Sequence, residues 1–489
     1  MKFILQLIVL ILLTLPGYTQ SQTGANQDQN LNLKLENYLT EMEKVGLTGS
    51  ILIELPDGSI ISRGCGFRNL ESNEPNDAAT VFDIGSLTKQ FTAAAIIKLE
   101  MAGKLSVNDP VTKYFDMVPE DKKYITVHDL LRHQSGLISN IGKDYEKIEN
   151  PEFLSKLFST KLKFKPGDNF SYSNVGYTLL ALIIEKVSGQ TYESFLYENL
   201  WQPAMMEHTG YSRPAFGPDR IAIGYDQMNS AWGRPTEKEW DGGAPYLHLF
   251  GNGGILSTTE DMHKWSRALQ TNLIFNEDAT KRLLSPKLRA GETEESYYAY
   301  GWDVAKTSRN TIRYAHSGYN RIFYADLMIY PAEKVVLVWL SNKSNDEFND
   351  LNKELSRIIF NIDYVPIIPA TDNSANREFT KLIIETIKSG GLSKAREVCS
   401  GANGNPALLE YVLRQEGFNQ LDNGNPKLAL EIFEMNVFAY PQSPKAIQGL
   451  AEGYMETGKK ELALKYFKES LRLNSDNPFV KDMIEKLEK

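Results

Sequence analysis

The 489-residue chain predicts an α+β domain, in which an antiparallel sheet is flanked by helices and interrupted by a large helical subdomain, followed by an all-α array of repeats. Three observations carry this. Strand-like segments gather near residues 50–62 and 300–340 with helical patterns between them; a Pro- and Asn-bearing stretch near 361–376 breaks the pattern; and beyond it a helical motif recurs at a fixed period. With 42% hydrophobic and 24% charged residues, the composition excludes a disordered or collagenous chain and leaves ample apolar surface for a core. The net charge of -9 argues against a broad electrostatic grip on nucleic acid, which needs a basic face. Cys65 and Cys399 are too few and too distant for a disulfide framework or a thiolate metal cage, and both read as isolated core thiols.

In chain order, Met1-Lys2, the apolar run Phe3 to Leu15 and the breaker Pro16-Gly17 have the form of a secretory signal peptide over residues 1–20, cut near Thr19 to Ser21. Left uncut, the same run would tether the body outside the cytoplasm. The chain is thus expected in the periplasm or outside the cell, with no membrane span after cleavage. Residues 21–31 are polar and expected to be a loose leader. A domain over 32–361 follows, opening with an amphipathic helix from Asn32 to Val45. Ser50 to Leu55 and Ser59 to Ser62 flank Pro56-Asp57-Gly58, a hairpin signal. Tyr300 to Val304, Ile312 to Ala315, Ile322 to Met328 and Val335 to Leu340 read as successive strands.

Residues 362–378 read as a linker, and 379–489 as helical repeats. Leu428-Ala429-Leu430-Glu431-Ile432-Phe433 recurs as Leu462-Ala463-Leu464-Lys465-Tyr466-Phe467, 34 residues on, and Gly424 and Pro444 recur as Gly458 and Pro478. That is the tetratricopeptide period. A degenerate helix pair from Phe379 to Gln415 extends the array, and the preceding domain is expected to cap one end. The array reads either as a groove for a peptide or protein partner or as a packing appendage.

The chemistry starts at Ser86-Leu87-Thr88-Lys89, where a loop enters a helix. One helical turn puts the Ser86 hydroxyl and the Lys89 ammonium on one face. A serine attacks only if a base takes its proton, and lysine serves only if burial or nearby cations lower its pKa from about 10.4. The helix N-terminus favours an oxyanion beside the Ser86 N–H. Alone, Ser-x-x-Lys is weak, since the same spacing arises as an N-cap serine with a solvated lysine. Tyr172-Ser173-Asn174 before an apolar helix over 178–187, and His316-Ser317-Gly318-Tyr319 at the end of a strand, are the second and third elements. His128 and His133, five apart, have no recognised zinc spacing, so neither a metal nor another cofactor is implied. Gly64-x-Gly66 and Gly251-x-Gly253-Gly254 lack the spacing of a phosphate loop and read as turn glycines. Trp201, Trp240 and Trp265 line a cleft or fill the core.

Together the three motifs resemble those of the serine β-lactamase and penicillin-binding-protein superfamily, in its class C-like branch: Ser-x-x-Lys, Tyr-x-Asn and Lys/His-Ser/Thr-Gly in the family's order. The resemblance spans roughly Leu33 to Phe360 and includes Leu130 to Leu137, Asn252 to Met262, and Tyr300-Gly301-Trp302, which looks like the opening of the family's final sheet. It implies a β-lactamase/transpeptidase-like fold, with Ser86 as nucleophile, Lys89 as its partner in proton transfer, and Tyr172 as base or relay whose phenolate Lys89 favours. Asn174 would bind the substrate amide or orient Lys89, and His316, Ser317 and Gly318 would hold substrate. The N–H groups of Ser86 and Tyr319 would form the oxyanion hole, with the Tyr319 side chain narrowing the acyl pocket. His316 replaces the usual lysine, which counts against efficient β-lactam turnover, although it could charge below about pH 6.5.

The expectation is an exported serine hydrolase acting on a small-molecule or peptide substrate, an ester or amide that includes D-amino-acid peptides and β-lactams. Two rivals differ in kind: a penicillin-binding sensor that acylates without turnover and recruits a partner through its repeats, and a docking module in which the tail does the work. The loops over 138–166 and 211–248 are expected to shape the cleft.

Overall fold

The computed structural model describes residues 19–212, 214, 216–238, 245–271, 273–285, 288–289, 296–344, 348–366, 368, 374–401, 406–474 and 477–488. Residues 1–18, with nearly all of the expected signal peptide, and Trp240 lie outside them. Among the described residues no helix is long and apolar enough to cross a membrane.

Strands β1 (Gly49–Glu54) and β2 (Ile60–Cys65) form the expected hairpin. Gly58 turns it at φ 85, and Asp57 Oδ1 accepts from the Ser59 N–H at 2.9 Å, the local bonding that makes Asp-Gly a hairpin signal. The sheet then takes β3 (Leu288–Arg289), β4 (Ser296–Tyr298), β5 (Asp303–Lys306), β6 (Ile312–Tyr319), β7 (Tyr324–Tyr330) and β8 (Val335–Ser341). It is eight-stranded, in the order β2-β1-β8-β7-β6-β5-β4-β3. Both chain ends of the domain therefore meet as the second and third strands from the β2 edge, where Ile51 lies opposite Trp339.

Strands β1, β7 and β8 are buried along their whole length, because both faces are covered. On one face Ile51, Ile53, Leu337 and Trp339 pack against Leu35 and Leu39 of helix α1 (Thr19–Lys44) and Leu355 of a C-terminal helix. On the other, Leu52, Leu327, Val338 and Leu340 join the larger core of the helical subdomain. Its centre is α2 (Thr88–Met101), whose residues Thr88 to Ile97 are buried without interruption. It is covered on every side, polar Lys89 and Gln90 included, as a helix at the centre of a domain is. α3 (Asn174–Ser188), with Val175 to Ile184 buried, and α4 (Thr259–Gln270) pack around it.

Several boundaries differ from expectation. α1 begins at Thr19, so it takes in residues 21–31, where a loose leader was expected. Tyr300-Gly301-Trp302 does not open the sheet but forms the turn between β4 and β5, with Gly301 at φ 77. β3 and β4, too short to leave a pattern, precede it. His316 to Gly318 lie inside β6 rather than at a strand end, and Ile322-Phe323 fall in the turn before β7.

After α5 (Leu351–Phe360) the chain stays on the domain: Tyr364 OH donates to Glu354 at 2.6 Å, and Lys34 Nζ donates to the Tyr364 carbonyl at 2.6 Å. Helix resumes in α6 (Ser374–Ser400), five residues before the expected start at Phe379, and breaks at Gly391 (φ 78, ψ 172). α7 (Glu410–Asp422), α8 (Pro426–Ala439), α9 (Pro444–Glu456), α10 (Lys460–Leu473) and α11 (Pro478–Glu488) complete the array. α7, α9 and α11 start 34 residues apart, as do α8 and α10. Cβ atoms at Gly417 and Gly453 would come within 2.4 and 2.8 Å of the Phe433 ring, so these glycines let neighbouring helices close on that buried aromatic. Cys65 is buried, whereas Cys399 on α6 is only half-buried and not the core thiol expected.

The array rests on the domain. Arg321 pairs with Asp422, Arg377 Nη1 donates to the Gln227 carbonyl at 2.8 Å, and Met228 packs into the cluster of Phe379, Ile383 and Tyr411.

Candidate active site

Ser86 sits on a single 3-10 turn, Gly85–Leu87, between the short strand Phe82–Asp83 and α2. The local sequence makes that turn: Gly85 adopts φ 50, and Asp83 Oδ1 accepts its N–H at 2.7 Å. Asp83 Oδ2 accepts from Asn320 Nδ2 at 2.9 Å, tying the β6–β7 turn to the nucleophile. Three residues on, Lys89 points back: its Nζ lies 3.0 Å from Ser86 Oγ and donates to the Asn252 carbonyl at 2.8 Å. Lys89 is fully buried, and burial holds its pKa well below the usual lysine value. Gly301 makes room for this segment, since a Cβ there would lie 2.9 Å from the Lys89 carbonyl oxygen.

Tyr172 stands over the same point, with Lys89 Nζ 4.8 Å from its ring centroid. Burial raises its pKa above the ordinary tyrosine value, outweighing the downward pull of a hydrogen bond with Ser86. The expected phenolate is therefore not favoured: loss of solvent pushes both Tyr172 and Lys89 toward their neutral forms. The loop beneath is held by His133, a residue of the Leu130 to Leu137 segment that the sequence raised only as a zinc ligand to reject. It accepts from the Ser173 N–H at its Nδ1, 3.0 Å away, and its ring lies 4.2 Å from that of Tyr172. His133 takes φ 57 to do so.

Asn174 opens α3 and does not orient Lys89. Its Nδ2 donates to Asn140 Oδ1 at 2.8 Å, and the Asn252 carbonyl takes the orienting position.

β6 crosses the nucleophile turn closely enough that a Cβ at Gly318 would sit 2.0 Å from the Ile84 carbonyl oxygen and 2.9 Å from the Ser86 nitrogen. A Cβ at Gly85 would sit 2.9 Å from the Tyr319 nitrogen. Only glycines permit this approach, and it brings the Ser86 and Tyr319 amides into one neighbourhood.

His316 is buried, its Nδ1 2.8 Å from the Ser317 carbonyl and its Nε2 3.2 Å from Tyr298 OH. These partners assign the proton to Nδ1 and leave Nε2 to accept. Burial, and then Lys89, push its pKa down to about 3, so it does not charge near pH 6.5 as its ordinary value implied. Asp303 and Tyr298, which sequence reasoning missed, complete the pocket with Ser86, Phe170, Tyr172, His316, Ser317 and Tyr319. Burial pushes the Asp303 carboxyl up to about 6. Its position next to Tyr300-Gly301-Trp302 was the available signal.

Trp201 and Trp265 are core residues on either side of Phe91, with ring centroids 5.7 and 4.9 Å away. Tyr319, 46% exposed, borders both the Ser86 pocket and a larger cleft of about 680 Å³ that includes residues of both expected loops.

The family model for beta-lactamase matches residues 37–359. The chain belongs to the beta-lactamase family. The match takes in Ser86, Lys89, Tyr172 and β6, and ends before the array. Penicillin-binding protein 4* of Bacillus subtilis (strain 168) is 31% identical over 347 residues, covering 67% of this chain and 76% of that protein. Protein flp of Staphylococcus aureus (strain MW2) is 27% identical over 66% of this chain and 65% of its own length, just under two thirds of that relative. Among solved structures, a penicillin-binding protein from Bacillus halodurans superposes with a TM-score of 0.56 at 29% identity, over 64% of this chain and 98% of that one. The family is one of serine hydrolases with the transpeptidase-like fold.

Proposed function

We propose that the protein is an exported hydrolase that cleaves ester or amide bonds through an acyl-enzyme on Ser86. The observation that carries this is Lys89 Nζ, 3.0 Å from Ser86 Oγ and buried so that its neutral form is favoured. A neutral amine has a lone pair for the serine proton, and Ser86 Oγ bonds to the substrate carbonyl carbon as that proton moves to Lys89. The carbonyl oxygen becomes an oxyanion beside the Ser86 and Tyr319 amides. The proton passes by way of the Tyr172 hydroxyl to the leaving oxygen or nitrogen, whose bond to carbon breaks. Water then attacks the acyl-enzyme carbonyl carbon and gives a proton to Lys89, the bond to Ser86 Oγ breaks to release the acid, and Lys89 passes that proton to Ser86 Oγ. No metal or organic cofactor is needed for these steps.

Export rests on the charged start, apolar run and Pro16-Gly17 break of the first residues. Substrate preference rests on the pocket's charge. A neutral His316 and the Asp303 carboxyl offer no cation to a substrate carboxylate, which favours uncharged esters and amides over β-lactams or peptides ending in a free carboxylate beside the cleaved bond. Ser86→Ala is expected to lower turnover of p-nitrophenyl acetate at least roughly a thousandfold, and the wild-type protein to gain an acetyl mass on the peptide bearing Ser86. Full turnover by Ser86→Ala would refute the mechanism. A stable fluorescent-penicillin adduct without turnover of any ester would replace it with a sensor.

A further inference from the structure

The larger cleft runs from Tyr319 outward between the helical subdomain and the repeat array. Its far wall is α7, which turns Gln415, Glu416, Asn419 and Asp422 toward it; Gln415, Asn419 and Asp422 fall on one helical stripe. This wall lies outside residues 37–359, the span the family model matches. Its cleft belongs to the size range of small-molecule pockets, about 300–1,000 Å³.

Chemistry says which half of a substrate reaches it. The group that returns the proton must face the leaving atom, and Tyr172 lines the Ser86 pocket, not the cleft. Asn174 lines the cleft, not the pocket. The leaving group thus lies toward Tyr172, and the acyl chain runs past Asn174 and Tyr319 toward α7. Along that path Asn174 Oδ1, Gln227 Oε1 and Tyr145 OH are buried oxygens without a hydrogen-bond partner among the described residues, and Gln227 is 8% exposed. Buried acceptors left unpaired are costly, and a ligand N–H satisfies them. Of the lining carboxylates, Asp422 is paired with Arg321 and Glu416 with Lys388, which leaves Asp144 and Asp226 against the cation Lys143.

We propose that α7 is the specificity wall of the acyl-side cleft, selecting substrates whose acyl portion is a peptide chain bearing an ammonium group. The inference rests on the Ser86 acyl-enzyme reading. Amide N–H groups answer the unpaired oxygens, and the ammonium answers the excess carboxylate.

The test uses the full chain and thioesters with one common thiol leaving group: an acetyl, a lysine-containing tripeptidyl and a glutamate-containing tripeptidyl thioester, followed by thiol release. The lysine tripeptide is expected to exceed both the acetyl and the glutamate substrates in kcat/KM by about tenfold or more. Asn419→Trp, which fills the cleft from α7, is expected to lower the lysine-tripeptidyl to acetyl ratio at least tenfold, and Gln415→Ala to lower it less. Glu461→Ala, exposed on α10, is expected to keep the wild-type ratio. An unchanged ratio in Asn419→Trp, or a preference for the glutamate peptide, overturns the inference while acetyl turnover upholds the hydrolase reading. Absence of acetyl turnover in the wild type overturns both.

Discussion

The Ser86 pocket and the cleft against α7 meet at Tyr319, yet they treat charge in opposite ways. In the pocket, burial decides: Lys89 is driven down, Tyr172 up, His316 down to about 3 and Asp303 up to about 6. In the cleft, Arg321 and Asp422 are a pair with side chains 56% and 45% exposed, and solvent screens them. The difference separates chemistry from selection. Proton transfer between Ser86 and Lys89 depends on a site dry enough to push a lysine toward its neutral form, whereas recognition of a polar chain depends on groups that keep their charge.

The largest break in that contrast comes from restoring a charge to the pocket. Arginine cannot give up its proton in a protein, so Lys89→Arg is expected to lower kcat/KM for acetyl thioester by roughly a thousandfold or more. Acylation measured by intact mass should fail equally. If Lys89→Arg still acylates at an appreciable rate, the neutral amine is not the base.

Next in size is Asp83, which touches no substrate but holds Gly85 and Asn320. Asp83→Ala frees the turn carrying Ser86, and a displaced nucleophile is expected to cost about tenfold to a hundredfold in kcat with little change in KM. Asp83→Asn keeps an acceptor for the Gly85 N–H and should recover most of that loss. A loss carried by KM instead would assign Asp83 to binding.

Asp303 gives a smaller, pH-dependent effect. A carboxyl raised to about 6 is charged at pH 7.5 and largely neutral at pH 5, so repulsion of a carboxylate beside the leaving group fades as pH falls. The kcat/KM ratio of a carboxylate-bearing ester to its neutral analogue is expected to rise about threefold to tenfold over that interval. Protonation of Lys89 affects both substrates and cancels in the ratio. Asp303→Asn should flatten the profile at its low-pH level, and a wild-type ratio that falls toward acid would contradict it.

What was legible in the sequence follows the same division. Ser86 and Lys89 are one helical turn apart, and the hairpin at Asp57-Gly58 and the 34-residue period of the array are equally local, so spacing alone exposes them. The neutrality of His316, the pairing of Asn252 with Lys89, and His133 beneath Tyr172 arise only when distant segments bury one another. Strands β3 and β4 are too short for an alternation to register. The contact of α7 with the cleft joins Arg321 to Asp422, 101 residues apart, and no local pattern announces it.

That ion pair yields the smallest effect and the finest test of the comparison. As an exposed pair it contributes roughly 0–1 kcal/mol, so Arg321→Ala and Asp422→Ala should each shift Tm by no more than about 2–4 °C. α7 remains seated by the Arg377 bond to Gln227 and by Met228 in the array's core. The ratio of lysine-tripeptidyl to acetyl turnover should therefore fall less than in Asn419→Trp, with kcat for acetyl thioester nearly unchanged. Arg321, however, follows Asn320, which holds Asp83 and through it the turn of Ser86. If Arg321→Ala lowered acetyl kcat as far as Asp83→Ala does, the array would be acting on the nucleophile turn through this chain of bonds. Charge in the cleft would then govern the chemistry of the pocket, and the division between the two would fail.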